Sequence, residues 1–179
     1  MSFRQEIWQR KWMIIVSVFM LVSFFCFQVK AQSEDPLVFE LKGFLVTEVA
    51  DDKGVVKEVI KPLPDKVLPK SVIQYEITAE NTSTETLKNV NLIGIIPMGT
   101  VYIDKSATVN YPIEYSIDGG GTFQKEPVKY KVKLPDGKEV EKIATPDMYT
   151  NIRWVVPEIK PQQEIKVFYR IIIKEKEIK

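Results

Sequence analysis

One stretch constrains this chain more than any other: Val67 to Ile103, VLPKSVIQYEITAENTSTETLKNVNLIGIIPMGTVYI. Ile73, Tyr75, Ile77 and Ala79 alternate there with Gln74, Glu76, Thr78 and Glu80. A period of two places the first set on one face of a strand and the second on the other. Asn81-Thr82-Ser83-Thr84 follows, and short polar side chains that bond to nearby backbone interrupt a ladder. Val90, Leu92 and the run to Ile96 resume the strand, and Pro97 with Gly99 ends it. A chain built around this pattern forms antiparallel sheets.

The same alternation recurs on both sides. Leu37, Phe39 and Leu41 alternate before Gly43, where an isolated glycine predicts a bulge. Asp51-Asp52-Lys53-Gly54 reads as a hairpin turn, with the aspartates as turn formers, and Val55 to Ile60 returns. Lys61 to Lys70 contains Pro62, Pro64 and Pro69 and runs extended without a regular ladder. Residues 110–148 read as an inserted excursion of hairpins. Ile152, Trp154 and Val156 share one face, and Ile165, Val167, Tyr169, Ile171 and Ile173 give the longest clean alternation. No stretch after residue 31 has a helical period. The expected fold is all-β, an immunoglobulin-like antiparallel sandwich over residues 37–179, with Tyr75, Ile77, Trp154, Val167 and Tyr169 in its core. Trp154 stacking on a sugar is the competing reading; its apolar alternate neighbours favour the core.

The N-terminus differs. Met1 to Trp12 is polar and basic, Met13–Phe27 is uncharged and apolar, and Val29-Lys30-Ala31 ends the segment. This predicts a helical secretory signal over residues 1–31, cleaved between Ala31 and Gln32, then a flexible leader over 32–36. A retained membrane anchor is the alternative, although a spanning helix needs about 20 apolar residues. Contact with a membrane is expected only through this segment, if uncleaved. Cys26 follows bulky Ser23-Phe24-Phe25, which does not suit lipidation. The protein is expected to be exported, to a periplasm, a cell surface or the exterior.

Composition removes several chemistries. The chain has no histidine and one cysteine. Imidazole-based zinc and copper sites and His-assisted nucleophiles are therefore excluded, and no cofactor is expected. Four of the 25 basic residues but one of the 24 acidic ones precede Gln32, so the remainder is almost neutral. It has no steering field for nucleic acid. The carboxylates fall in alternating outward positions or turns, which reads as solvated faces rather than a glycosidase pair. Asn81-Thr82-Ser83 matches a glycosylation sequon and reads here as a turn.

Ser116-Ile117-Asp118-Gly119-Gly120-Gly121-Thr122-Phe123 resembles the Asp-box of sialidase propellers and related β-proteins. Its working residues would be Ser116, Asp118, Gly120, Thr122 and Phe123. In those enzymes the motif is a non-catalytic hairpin, and a propeller needs several copies, so one copy implies a folding role. More widely, Pro69, Tyr75, Ile77, Asn81, Thr82, Val90, Pro97, Gly99, Thr100, Trp154 and Pro161 follow a known pattern. Over roughly Val55 to Lys174 the chain resembles the bacterial surface-repeat domain known as domain of unknown function number eleven, in its single-domain exported subgroup. That resemblance implies an immunoglobulin-like sandwich with no established catalysis. Lys70 and Gln162 replace usual glycines, which predicts type I turns there. Gly94 replaces a usual Asp or Asn.

The expected function is a non-enzymatic envelope or surface structural module. Its expected partners are other envelope proteins or itself, joined by strand addition at Leu37–Leu41 or Ile165–Ile173. Docking of Leu37–Leu41 onto a neighbour would build fibres. A second expectation is carbohydrate binding through Tyr111, Tyr115, Phe123 and Tyr130. A carboxylate-based hydrolase ranks third.

Overall fold

The computed structural model describes residues 35–175. Ala31 and Gln32, with the whole signal segment, lie outside the described residues. Ten strands form in chain order: β1 Leu37–Ala50, β2 Val56–Pro62, β3 Val72–Asn81, β4 Leu87–Ile95, β5 Thr100–Tyr102, β6 Ile113–Ser116, β7 Lys129–Lys133, β8 Glu139–Ile143, β9 Asn151–Ile159 and β10 Glu164–Ile173. A 3-10 turn, Pro146–Met148, precedes β9. All pairings are antiparallel: β2-β1-β3-β10-β5 in one sheet, β4-β9-β6 in a second, and β7-β8 as a separate hairpin.

The arrangement is a β-sandwich-like all-β body with one core. Ile73, Ile77 and Ala79 on β3 and Val167, Tyr169 and Ile171 on β10 are buried, as are Leu92 on β4 and Ile152, Trp154 and Val156 on β9. Alternation produces this directly, since each set occupies every second position. Trp154 packs 6.0 Å from Tyr169, ring centre to ring centre. Its indole Nε1 donates to the Thr108 carbonyl at 2.9 Å, so the polar end of the buried ring is satisfied. Tyr75 is only half-buried, because its neighbour across the ladder is Gly43 and it packs beside Tyr169 at 5.5 Å.

Strand order departs from the immunoglobulin one. In immunoglobulin domains the last strand lies at the edge of the smaller sheet beside its predecessor. Here β10 lies inside the larger sheet between β3 and β5, and β6 takes the edge beside β9. The pairing is nested, β3 with β10 and β4 with β9, as in a jelly roll. What the described residues show is a five-stranded and a three-stranded antiparallel sheet closed over one core.

Four local expectations are corrected. β1 runs through Gly43 without a bulge, because the register with β3 is unbroken from Leu37↔Asn81 to Val46↔Val72. The glycine instead makes room for Leu63, whose Cδ2 would lie 2.9 Å from an added Cβ. β6 belongs to the smaller sheet, so residues 110–148 are not wholly an insertion; β7 and β8 are the part outside both sheets. Lys70 and Gln162 adopt φ of 67° and 59°. Their turns therefore keep the left-handed third residue of type II. Ser71 N–H bonds to Leu68 O and Gln163 N–H to Lys160 O, while Ile173 O and Asn81 O accept the N–H groups of Lys70 and Gln162. Finally, Pro36 is tied down rather than loose, since its carbonyl accepts from Thr82 N–H.

Candidate functional site

The Asp-box-like turn is a closed hydrogen-bond unit. Ser116 Oγ donates to Asp118 Oδ1 at 2.6 Å, Thr122 N–H to the same oxygen at 2.9 Å, and Thr122 Oγ1 to Oδ2 at 2.7 Å. Gly119 and Gly120 supply φ of 75° and 92°, which L side chains adopt only with strain. Gly120 N–H bonds back to Ser116 Oγ, and Gly119 N–H to Thr150 Oγ1. These donors hold the Asp118 carboxyl at about 2, well below the ordinary carboxylate range, the Ser116 hydroxyl contributing most. A carboxylate so engaged is a turn anchor and has no proton to give near neutrality. Phe123 carries the Arg153 guanidinium 4.2 Å above its ring, and Arg153 is also paired with Glu114.

The four aromatics considered for glycan contact do not converge on one open face. Tyr115 is buried and its hydroxyl meets that of Tyr102 at 3.1 Å. It stacks on Tyr149 with ring centres 4.6 Å apart, and burial pushes its hydroxyl pKa upward. Tyr111 and Tyr130 are half-buried against the core, and Phe123 is covered by Arg153. Among the described residues no group of three or more Cys, Asp or Glu side chains is placed to hold a metal ion. Asn81 is fully buried, and its Nδ2 donates to Glu85 O at 2.7 Å and Ile159 O at 2.9 Å. Its sequon is thus sealed in the folded chain.

The two strand edges proposed from sequence have different fates. β10 is covered on both sides, by β3 and by β5, with Ser106 and Thr108 bonding to Arg170 and Phe168 beyond β5. It offers no edge. β1 does. β2 reaches along it only to Phe44↔Pro62, and Leu63 N–H then takes the Gly43 carbonyl. Below Gly43 that side of β1 has no neighbouring strand among the described residues. Successive residues of an antiparallel ladder turn their N–H and C=O groups alternately to either side. Pro36 O accepts from Thr82, so even-numbered residues face β3. The N–H and C=O groups of Leu37, Phe39 and Leu41 therefore point off the open edge.

The side chains at this edge are apolar and uncovered. Phe39 and Leu41 sit opposite Ala79 and Ile77, on the face that elsewhere forms the core. They are nevertheless 55% and 63% exposed, because the three-stranded sheet stops at β4 and leaves β1 overhanging. β4 is an edge too: Ile96 N–H bonds to Thr150 O, so its even residues face β9 and Asn91 and Ile93 face outward. Phe39, Glu40 and Leu41 with Asn91, Ile93 and Ile95 line a groove of about 330 Å3 between the two edges. Ile93 and Ile95 are 48% and 66% exposed. Sequence reasoning passed over them, although the unbroken run Leu92-Ile93-Gly94-Ile95-Ile96 marks a strand apolar on both faces.

No protein-family model, curated protein or solved structure matches this chain.

Proposed function

We propose that this chain is an exported, non-catalytic module of the cell envelope or surface that works by taking a partner strand onto the open edge of β1. The observation that carries the reading is the outward row of Leu37, Phe39 and Leu41 backbone groups beside an uncovered apolar face. Rows of unpaired N–H and C=O groups are satisfied best by another backbone, and apolar side chains on the same edge set its register. Monomeric proteins usually blunt such edges with charge, proline or a covering loop. Here the three outward positions carry none of these. The signal-like residues 1–31 and the resemblance to the surface-repeat family support export. Tyr115, once an anchor for the glycan alternative, is buried and gives that alternative no support.

Leu41→Pro tests the proposal. It deletes an outward N–H and blocks the edge with a ring while leaving the β3-facing groups of Glu40 and Lys42 in place. The wild-type chain is expected to run larger than a free chain on native gels of envelope extracts from its source cells, and Leu41→Pro is expected to run as free chain. Identical size distributions for the two, with both folded, would overturn the reading.

A further inference from the structure

We infer that the strand received by β1 is β1 of a second copy, in an antiparallel pair with Phe39 on the two-fold axis. This deepens the strand-addition reading and rests on it. An isologous pair requires that the outward residues of one edge meet the outward residues of the other. With Phe39 opposite Phe39, Leu37 falls opposite Leu41 and Leu41 opposite Leu37. This is the one two-fold antiparallel register in which the three outward residues map onto themselves, so each exchanges two backbone bonds. Shifting the axis to Glu40 places like carboxylates directly opposite one another. Shifting it to Leu41 drives residues 37 and 38 toward the sites held by Lys61 and Pro62, and calls on a Gly43 carbonyl already taken by Leu63 N–H.

In the Phe39 register no like charges face each other: Glu40 lies opposite Val38, and Lys42 opposite Pro36. Phe39 and Leu41, half or more exposed in one chain, acquire the matching row of the other copy as neighbours on the same face. Two consequences follow. The contact closes on itself, so it yields a dimer in place of the fibre expected from a head-to-tail joint. And one short strand pair sits at the small end of specific interfaces, below about 1,200 Å2, so the dimer is reversible and depends on concentration.

Single cysteines test the register in the full chain, with Cys26, its one cysteine, replaced by serine. Across a hydrogen-bonded antiparallel pair, Cα atoms are about 5.5 Å apart, inside the disulfide range. Phe39→Cys is expected to give a disulfide dimer under mild oxidation, at least ten-fold more than Leu41→Cys, whose copies stand roughly 14 Å apart along the strand. Leu37→Cys with Leu41→Cys in one chain is expected to cross-link although neither does alone; this covers the case in which Phe39→Cys fails to fold. Dominant cross-linking at residue 40 or 41, a ladder of products beyond the dimer from a single cysteine, or none at any position would overturn the inference. If none appears but Leu41→Pro still releases the chain from envelope assemblies, the self-pairing fails while strand addition to another protein stands.

Discussion

Gly94 faces the core from β4, and replacing it with alanine tests how tightly the two sheets close. A Cβ there would lie 2.5 Å from Tyr169 Cε1, 2.9 Å from Cζ and 3.0 Å from Ile152 Cγ2. Ordinary carbon contacts are about 3.5–4.0 Å, so the ring must retreat by roughly 1 Å. It has little room: Tyr169 is buried, lies beside Trp154 and Tyr75, and donates its hydroxyl to the Ile95 carbonyl at 2.5 Å. Overpacking of this kind costs about 1–3 kcal/mol, and loss of the tyrosine hydrogen bond adds about 1 kcal/mol. Gly94→Ala is therefore expected to destabilise by roughly 3 kcal/mol, a fall in Tm of about 6–12 °C. Urea titration followed by fluorescence of Trp154 measures it. In a Tyr169→Leu background the same substitution is expected to cost under about 1 kcal/mol, as a contact-mediated coupling requires. Gly54→Ala is the control: nothing lies within 4 Å of its added Cβ, so only the left-handed backbone cost of about 1–2 kcal/mol applies. A Gly94→Ala penalty under 0.5 kcal/mol, or one unchanged without the Tyr169 ring, would refute this account of the sheet packing (the threshold being about the scatter of additivity).

Asn81→Ala removes the donors to Glu85 O and Ile159 O and is expected to cost about 1–3 kcal/mol by thermal melt, since the carbonyl of buried Ile159 is left unpaired while Glu85 O keeps Ser83 Oγ; Asn81→Asp should be worse at neutral pH and partly recover in acid. The Asp118 carboxyl, with its folded value about 2, contributes stability that is complete above the ordinary 3.8 and is lost as pH falls through 2. Asp118→Asn should flatten the acid limb of a stability-versus-pH curve in that window, and an unchanged limb would show that the turn does not hold the anion. Lys70, at φ 67°, is a non-glycine residue in a left-handed position, and its ion pair with Glu175 is exposed. Lys70→Gly should be neutral or stabilising, within about 1 kcal/mol, as read from urea midpoints; a loss above 2 kcal/mol would contradict the turn assignment.

Much of this fold was legible because alternation is local. Ile73 to Ala79, Ile152 to Val156 and Ile165 to Ile171 predict their buried faces from spacing alone, and the Asp51–Gly54 turn follows from its residues. Features set by distant partners were not legible. Gly43 looks like a bulge until Leu63 is seen beside it. Lys70 and Gln162 look unsuited to type II turns until the carbonyls that hold their N–H groups are known. β10 looks like an edge, yet nesting places its Phe168–Ile173 part inside the sheet. The open edge at Leu37–Leu41 was readable as a strand, but its exposure depends on where β2 and β4 stop. Ile93 and Ile95 join it only through that tertiary arrangement.

Residue-resolved amide exchange tests most directly whether the Leu37–Leu41 edge is open and taken up by a strand. In dilute chain, the amides of Phe39 and Leu41 should exchange fast while those of Val38 and Glu40, bonded to β3, stay protected. As concentration rises or envelope extract is added, Phe39 and Leu41 should slow at least ten-fold with the even positions unchanged. Odd amides as protected as even ones at every dilution, or fast under every condition, would contradict it.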